Sequence, residues 1–191
     1  MHNWKNEVEY WKYSTWAKCD FQNPAALPAG NLTGIDLSNT NLAGLTLAGR
    51  TIQNCSFKGA NLEGVNLKGA VLKNCSFRGA TLNGVNLKKT KIFSCCFRET
   101  TIKNCDLSWV TIKKCSFWQA SIEGRFFDEF YDENTCSFYA SEIKDSCFEG
   151  ARIKSVDFRF TSFRGGSFIG ATLKNTLFSS DTLTEEDGLK F

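Results

Sequence analysis

The stretch that decides the fold spans residues 55–80 and reads CSFKGANLEGVNLKGAVLKNCSFRGA. Leu or Phe falls on every fifth position, a small or apolar residue lies two positions before it, and Gly is common two positions after it. The apolar series runs from Leu32 to Leu183 with one interruption. A period of five fits neither a helix nor a flat strand, whose side chains repeat every ~3.6 and ~2 residues. We therefore predict very short strands with inward side chains, separated by tight turns in which Gly supplies a positive φ.

A second period of 20 residues is superimposed on the first. The pair Cys-x-Phe recurs with this spacing at Cys55/Phe57, Cys75/Phe77, Cys95/Phe97, Cys115/Phe117 and, one residue late, Cys136/Phe138. Four units of five residues thus make one coil, and equivalent residues stack from coil to coil. Stacked strands lie about 4.8 Å apart, so we expect a rod of about seven to eight coils.

Two units identify the family that the repeat resembles. Residues 60–64 (ANLEG) and 65–69 (VNLKG) are similar to the unit Ala-(Asp/Asn)-Leu-x-x of the pentapeptide-repeat family. The resemblance covers about residues 30–183. It implies an all-β solenoid, the right-handed quadrilateral parallel β-helix, whose handedness periodicity alone does not fix.

The ends of the rod need caps because a solenoid exposes an apolar cross-section at each end. Residues 1–29 are interpreted as a helical cap and link, because three apolar residues follow helical spacing: Trp4, Val8 and Trp11. The alternative is that Trp16 already belongs to an irregular coil. Residues 30–183 are assigned to the β-helix and residues 184–191 to a C-terminal tail or cap.

The register slips once, near residues 128–135. These residues exceed the expected spacing by one, so we interpret them as a bulged loop that replaces one unit on the side of Ile112 and Ile153. This count places Phe138 in the column of Phe117. A loop on a regular rod is a candidate functional segment, and a tolerated insertion is the alternative.

Catalytic chemistry has little support in the sequence. The only histidine is His2, so we expect no Ser-His-Asp or Cys-His arrangement, no enzymatic activity, no metal and no cofactor. Most of the nine cysteines take inward positions, where free Cys acts as a small hydrophobe. Rungs about 4.8 Å apart are too far for good disulfide geometry. Cys96 and Cys147 are predicted to point outward, as reactive thiols or by chance.

Charge and hydropathy limit the partners. Residues 51–120 carry 11 basic and 3 acidic residues, residues 121–150 carry 2 basic and 8 acidic residues, and the whole chain is at +3. This balance argues against nucleic-acid binding as the main function. No apolar run reaches the roughly 18–20 residues of a membrane span, and no signal peptide is recognised. We expect a cytoplasmic protein, with secretion as an effector left open.

One outward column suggests a binding surface. Trp118 and Tyr139 are predicted to stack side by side, flanked by Arg98 and Arg159, and exposed aromatics with Arg are typical of binding hot spots. The full candidate surface comprises Arg78, Phe93, Arg98, Trp109, Trp118, Phe130, Tyr131, Tyr139 and Arg159. The alternative is that these aromatics only shield the rod by stacking across strands.

We interpret the chain as a non-enzymatic protein-interaction or scaffold module that presents a rigid β-helical surface. Two alternatives remain open. The resemblance includes the quinolone-resistance pentapeptide proteins, which implies binding of DNA gyrase by DNA mimicry, although the basic middle of this chain departs from a DNA-like negative surface. The third hypothesis is nucleic-acid binding through a basic outward column. A protein partner of unknown identity is expected, and a homodimer is compatible with the pattern.

Overall fold

The computed structural model describes residue 27 and residues 30–125, 136–179 and 189–190. These residues form an all-strand, parallel β-solenoid of about 7 turns, which confirms the predicted fold class. The predicted N-terminal helix lies outside the described residues, as does most of the C-terminal tail.

The strands are short because a corner follows almost every unit. They are β1 Leu32–Thr33, β2 Thr51–Gln53, β3 Val71–Lys73, β4 Thr81–Asn83, β5 Lys91–Phe93, β6 Thr101–Lys103, β7 Thr111–Lys113, β8 Ser121–Glu123, β9 Cys136–Ser137, β10 Glu142–Cys147, β11 Arg152–Lys154, β12 Val156–Phe158, β13 Ser162–Ser167, β14 Thr172–Lys174, β15 Leu177–Phe178 and β16 Leu189–Lys190. They form three sheets, with orders β1-β2-β3-β5-β7-β10-β13-β16, β14-β11-β8-β6-β4 and β15-β12-β9. All pairings are parallel, so each sheet runs along the rod rather than around it.

Each coil has four faces, numbered 1 to 4 in chain order, and each face stacks one column of inward residues. Face 1 stacks Leu32, Ile52, Leu72, Ile92, Ile112, Ile143 and Phe163. Face 2 stacks Leu37, Phe57, Phe77, Phe97, Phe117, Phe148 and Phe168. Face 3 stacks Leu42, Leu62, Leu82, Ile102, Ile122, Ile153 and Leu173. Face 4 stacks Leu47, Leu67, Leu87, Leu107, Phe138, Phe158 and Phe178.

The corners explain the position of Gly in the repeat. The N–H of Ala60 donates to the carbonyl of Phe57 at 3.0 Å, which closes a four-residue turn. Gly59, the third residue of this turn, has φ 65°. A positive φ at that position is the signature of a type II turn, which Gly adopts without a steric penalty. The five-residue period therefore encodes one inward pair of side chains and one turn.

The interruption is longer than the sequence count indicated. Across it, partners on neighbouring rungs lie 31 residues apart, as in the bond from Val110 N–H to the Ser141 hydroxyl, whereas residues such as Cys75 and Cys95 lie 20 apart. Eleven extra residues thus separate the two parts of the rod. The predicted insertion of one residue is therefore too short by ten residues, which correspond to two five-residue units or half a coil.

This correction moves every later residue to the opposite face. Phe138 lies over Leu107 on face 4, not over Phe117, because Ser137 bridges to Asp106. Ile153 pairs with Ile122 and not with Ile112. The described chain ends after the corner of face 3 at Arg125 and resumes on face 4 at Cys136, and the predicted loop near residues 128–135 lies outside the described residues.

Gly124 marks the point of departure. Its N–H donates to the carbonyl of Lys154 at 3.0 Å, so it still belongs to the face 3 corner. A Cβ at this position would collide with the backbone oxygen of Ser155 and lie 2.8 Å from the backbone nitrogen of Cys136. The absence of a side chain lets Cys136 approach the corner and continue the coil in place of the inserted residues.

Candidate interaction surfaces

The predicted neighbours Arg98 and Trp118 do meet, on face 2. The guanidinium carbon of Arg98 lies 4.5 Å from the ring centroid of Trp118, a cation–π distance. One rung below Arg98, Arg78 is exposed and binds Glu99 through Nη2 and Oε1 at 3.1 Å. The Arg78–Glu99 pair is at the surface, where an ion pair contributes between ~0 and ~1 kcal/mol. Arg98 and Trp118 are half-buried. This part of the predicted column is therefore present.

Tyr139 and Arg159 lie elsewhere. The residue that follows Trp118 along face 2 is Glu149, because Cys147 and not Cys136 lies over Ser116. Tyr139 and Arg159 are on face 4, opposite face 2 in the four-sided coil. The predicted stack of Trp118 on Tyr139 is thus wrong, for the same reason that the predicted register is wrong.

On face 4 Tyr139 has different aromatic neighbours. Its ring centroid lies 6.3 Å from that of Trp109 and 5.2 Å from that of Phe160, and both pairs are edge-to-face with interplanar angles of 66° and 71°. Trp109 is 55% exposed and Phe160 is 65% exposed, while Tyr139 is half-buried between them. We call these three residues the aromatic corner.

The backbone of the aromatic corner is unusual for such large residues. One corner position between face 4 and face 1 has positive φ in six successive coils of the described chain: Gly49, Gly69, Lys89, Trp109, Ala140 and Phe160. Trp109 has φ 60° and Phe160 has φ 58°. The left-handed region costs an L-residue about 1–2 kcal/mol, and a bulky residue there is an outlier. Two exposed aromatics therefore stand where Gly or Asn would cost less.

Arg159 is held rigidly beside the aromatic corner. Its Nη2 binds Asp157 Oδ2 at 2.9 Å and its Nε binds Asp157 Oδ1 at 3.0 Å. The Asp157 carboxylate also accepts the Arg159 backbone N–H at 2.9 Å, and Asp157 is only 4% exposed. Such bidentate geometry fixes the guanidinium in one orientation. Arg159 thus contributes a positioned positive group at the edge of the aromatic surface.

The remaining predicted residues do not join either cluster. Phe93 lies on face 1, half-buried between Lys73 and Lys113 on the neighbouring strands. Phe130 and Tyr131 lie outside the described residues. The predicted single surface is therefore distributed over three faces.

Sequence reasoning missed Phe160. It lies two residues after Phe158, as Trp109 lies two residues after Leu107, and both apolar residues belong to face 4. With the correct insertion length, the two aromatics fall in the same corner column. The wrong register hid this coincidence.

The described cysteines are free thiols with structural positions. Burial raises the pKa of the Cys105 thiol to about 12 and raises the pKa of Cys136. Cys96 is buried, and burial also raises the pKa of the half-buried Cys147. Raised pKa values disfavour the thiolate, which is the reactive form. Within the described ranges no three His, Cys, Asp or Glu residues are grouped to hold a metal ion.

A parallel rod with four faces per coil and a five-residue unit is a β-solenoid repeat protein. Residues 50–127 match the family model described as a pentapeptide repeat region. This match confirms the resemblance drawn from the repeat units: residues 50–127 are a pentapeptide repeat region.

Three solved structures show similarity to this chain. HetL, a pentapeptide repeat protein involved in heterocyst differentiation regulation in the cyanobacterium Nostoc sp. strain PCC 7120, is 16% identical with a TM-score of 0.49; the match covers 75% of this chain and 65% of HetL, less than two thirds of its length. Full-length QnrB1, a plasmid-mediated fluoroquinolone resistance protein, is 17% identical over 86% of this chain and 90% of its own, with a TM-score of 0.40. A pentapeptide repeat protein from the Arabidopsis thaliana thylakoid lumen is 23% identical over 66% of this chain and 70% of its own, with a TM-score of 0.32.

A search of the curated proteins finds no match to this chain. In the described part of the chain, no helix has the length and hydrophobicity that a bilayer crossing requires.

Proposed function

We propose that this chain is a non-enzymatic protein-interaction module, a rod that holds surface side chains in fixed positions for a partner protein. The aromatic corner is the observation that carries the proposal. Trp109 and Phe160 are exposed and adopt a backbone conformation that costs them energy, so neither stability nor turn formation accounts for their presence. Exposed Trp and Tyr beside a positioned Arg are the composition of binding hot spots.

The rest of the rod supports this function by its rigidity. Inward aromatic rings stack at nearly equal distances along face 2, and backbone hydrogen bonds join every coil to the next. A partner that binds such a surface loses little free energy to reordering of the rod. The module therefore resembles a preorganised template rather than a flexible segment.

Binding of DNA gyrase by DNA mimicry is less well supported. A DNA mimic needs a dense negative surface, whereas the exposed outward column of face 1 contains Lys73, Lys144 and Arg164. The described charges of face 1 therefore argue against gyrase binding by DNA mimicry.

The test is affinity capture from a lysate of the source cell, read by mass spectrometry, with three versions of the chain. These are the parent, the corner variant Trp109→Asn/Phe160→Asn and the face 2 variant Arg98→Ala/Trp118→Ala. Asn suits the corner because the chain already places Asn104 and Asn175 at positive φ. We expect a protein that the parent and the face 2 variant retain and that the corner variant loses. If the parent captures no specific protein, the proposed function fails.

A further inference from the structure

Face 1 carries a column of cations next to the aromatic corner. Strand pairing places these residues on successive rungs: Lys73, Phe93, Lys113, Lys144 and Arg164. Lys113 is neutralised by Glu142, with 2.9 Å between Nζ and Oε1. Lys73, Lys144 and Arg164 are exposed and form no ion pair with the described residues. Like charges on one sheet face repel each other, so the column favours a partner that brings negative charge.

Two further lysines join this column to the aromatic corner. Lys89 occupies the corner position one rung below Trp109, where its N–H donates to the Ser108 carbonyl at 3.0 Å. Lys91 pairs with Thr111, which lies two residues after Trp109. Both lysines are exposed and neither makes an ion pair with a described residue. Apolar contact area and unneutralised positive charge are therefore contiguous at the edge between faces 4 and 1.

We infer that this edge binds an acidic protein segment with an apolar or aromatic anchor side chain. The anchor packs against Trp109 and Phe160, and the carboxylates of the segment face Lys89, Lys91 and the cation column. The inference rests on the proposed function and specifies the partner's chemistry. Charge complementarity supplies steering, and the aromatic contacts supply most of the affinity.

The described charges favour a protein segment over nucleic acid. Rungs are spaced by about 4.8 Å and lysines do not occupy each one, so the column does not follow a regular phosphate chain. Asp145 is exposed on strand β10 beside this column and would repel a continuous polyanion. A peptide can place its carboxylates selectively and avoid this residue.

The described part of a second copy is a poor fit for this edge. Most described carboxylates are already held in ion pairs: Glu99, Asp106, Glu123, Glu142 and Asp157. None of the described faces therefore presents the negative surface that the cation column requires. The charges of the described residues are therefore matched better by an acidic segment of another protein.

Fluorescence anisotropy tests the inference at low ionic strength, where charge interactions are least screened. The probe is a fluorescein-labelled peptide of alternating Asp and Glu with one central Trp. The comparison probes are the same peptide with Ala in place of Trp and a single-stranded oligothymidine. The chain is used as the parent, as Trp109→Asn/Phe160→Asn and as Lys91→Glu/Lys144→Glu. Matched controls on other faces are Trp118→Ala and Lys58→Glu/Lys174→Glu, the latter with the same change in net charge.

We expect the parent to bind the Trp-containing acidic peptide, and each edge variant to weaken binding by about tenfold or more. The Ala peptide should lose affinity for the parent and lose its sensitivity to the corner substitutions. The two controls should stay within about twofold of the parent. The inference is overturned if the acidic peptide does not bind, if the controls weaken it equally, or if oligothymidine binds more tightly with the same dependence on Lys91 and Lys144.

This test separates the inference from the proposed function. If lysate capture succeeds with the parent and persists in the corner variant, the chain is an interaction module but this edge is not its site. If the peptide binds as expected and lysate capture fails, the edge chemistry holds and the wider function does not.

Discussion

Two aromatic columns run along the same rod and differ in almost every physical respect. Inside face 2, rings from Phe57 to Phe168 stack with centroid distances of 4.7–4.9 Å and interplanar angles of 0–5°. At the aromatic corner the rings of Trp109, Tyr139 and Phe160 meet edge-to-face at 5.2–6.3 Å, and Trp109 and Phe160 are largely exposed while Tyr139 is half-buried. The inner column follows the coil spacing, whereas the outer rings are free to tilt.

This difference distinguishes aromatic residues that stabilise the fold from aromatic residues that contribute little to its stability. A buried Phe removes a large apolar area from water and fills the coil, which contributes directly to the free energy of folding. Trp109 and Phe160 bury less area and have a strained backbone. Position relative to the corner, rather than residue type, thus distinguishes a structural aromatic from a candidate binding residue.

Removing an inner ring should have the largest effect. We expect Phe97→Ala to lower the free energy of unfolding by about 3–5 kcal/mol, because the cavity between Phe77 and Phe117 cannot collapse in a regular stack. Urea unfolding monitored by circular dichroism measures the change. Phe97→Leu is the control and should cost less because it leaves a smaller cavity. An unchanged midpoint for Phe97→Ala would mean that the column does not stabilise the rod.

A substitution at the junction between the two parts of the rod should have an intermediate effect. Gly124→Ala places a Cβ against Ser155 and Cys136, and we expect it to cost about 1–3 kcal/mol by overpacking. The matched control is Gly84→Asn, at the equivalent corner of face 3, where a Cβ meets nothing within 4 Å. Thermal unfolding should separate the two variants. Equal stability of both would contradict the close approach that lets Cys136 rejoin the coil.

A charged ladder on face 3 gives a smaller, pH-dependent effect. Hydrogen bonds from Lys154 and Lys103, at 2.8 and 3.2 Å, lower the pKa of Glu123. Because the folded-state pKa is lowered, the ionised carboxylate stabilises the fold at pH values above its unfolded-state pKa. This stabilisation is lost as the pH falls through the folded-state pKa. Since these side chains are partly exposed, Glu123→Gln should cost only about a few tenths of a kcal/mol at neutral pH.

The cost of Glu123→Gln should disappear as pH falls below the ordinary range of a glutamate. Chemical unfolding of both proteins at neutral and acidic pH measures this convergence. A difference that persists in acid would assign the effect to packing and not to charge.

The smallest effect on stability is expected at the aromatic corner. In Trp109→Asn the loss of the edge contact with Tyr139, about 0.5–1.5 kcal/mol, is offset by relief of left-handed strain of about 1–2 kcal/mol. The unfolding midpoint should therefore stay close to that of the parent while peptide binding falls. A loss of stability like that of Phe97→Ala would instead show that Trp109 is a structural residue.

The fold could be predicted because the five-residue and 20-residue periods follow directly from the geometry of a four-sided coil. The length of the insertion could not be predicted from the apolar pattern. An insertion of one residue and an insertion of eleven residues differ by two five-residue units. Both lengths therefore place the later apolar residues inward. The Cys136-x-Phe138 pair also imitates the motif of face 2, although in the structure it lies over Cys105 and Leu107 on face 4.

The candidate site was predicted only where it lies before the insertion. Arg98 and Trp118 are separated by one regular coil, and their contact follows from the period. Tyr139 was assigned to the wrong face, and Phe160 was missed, because surface neighbours depend on which face each unit occupies. The apolar pattern indicates which positions of each five-residue unit point inward. Only the backbone pairing between coils identifies the face on which a unit lies.

The number of inserted residues therefore sets the rotation of the C-terminal coils relative to the N-terminal coils about the rod axis. Adding or removing five residues there would turn the C-terminal coils by a quarter revolution about the rod axis while each inward residue still points inward. Removing ten would carry Tyr139 from face 4 to face 2, beside Trp118. Loop length alone could thus assemble or dismantle a composite surface in this architecture without altering a single core residue.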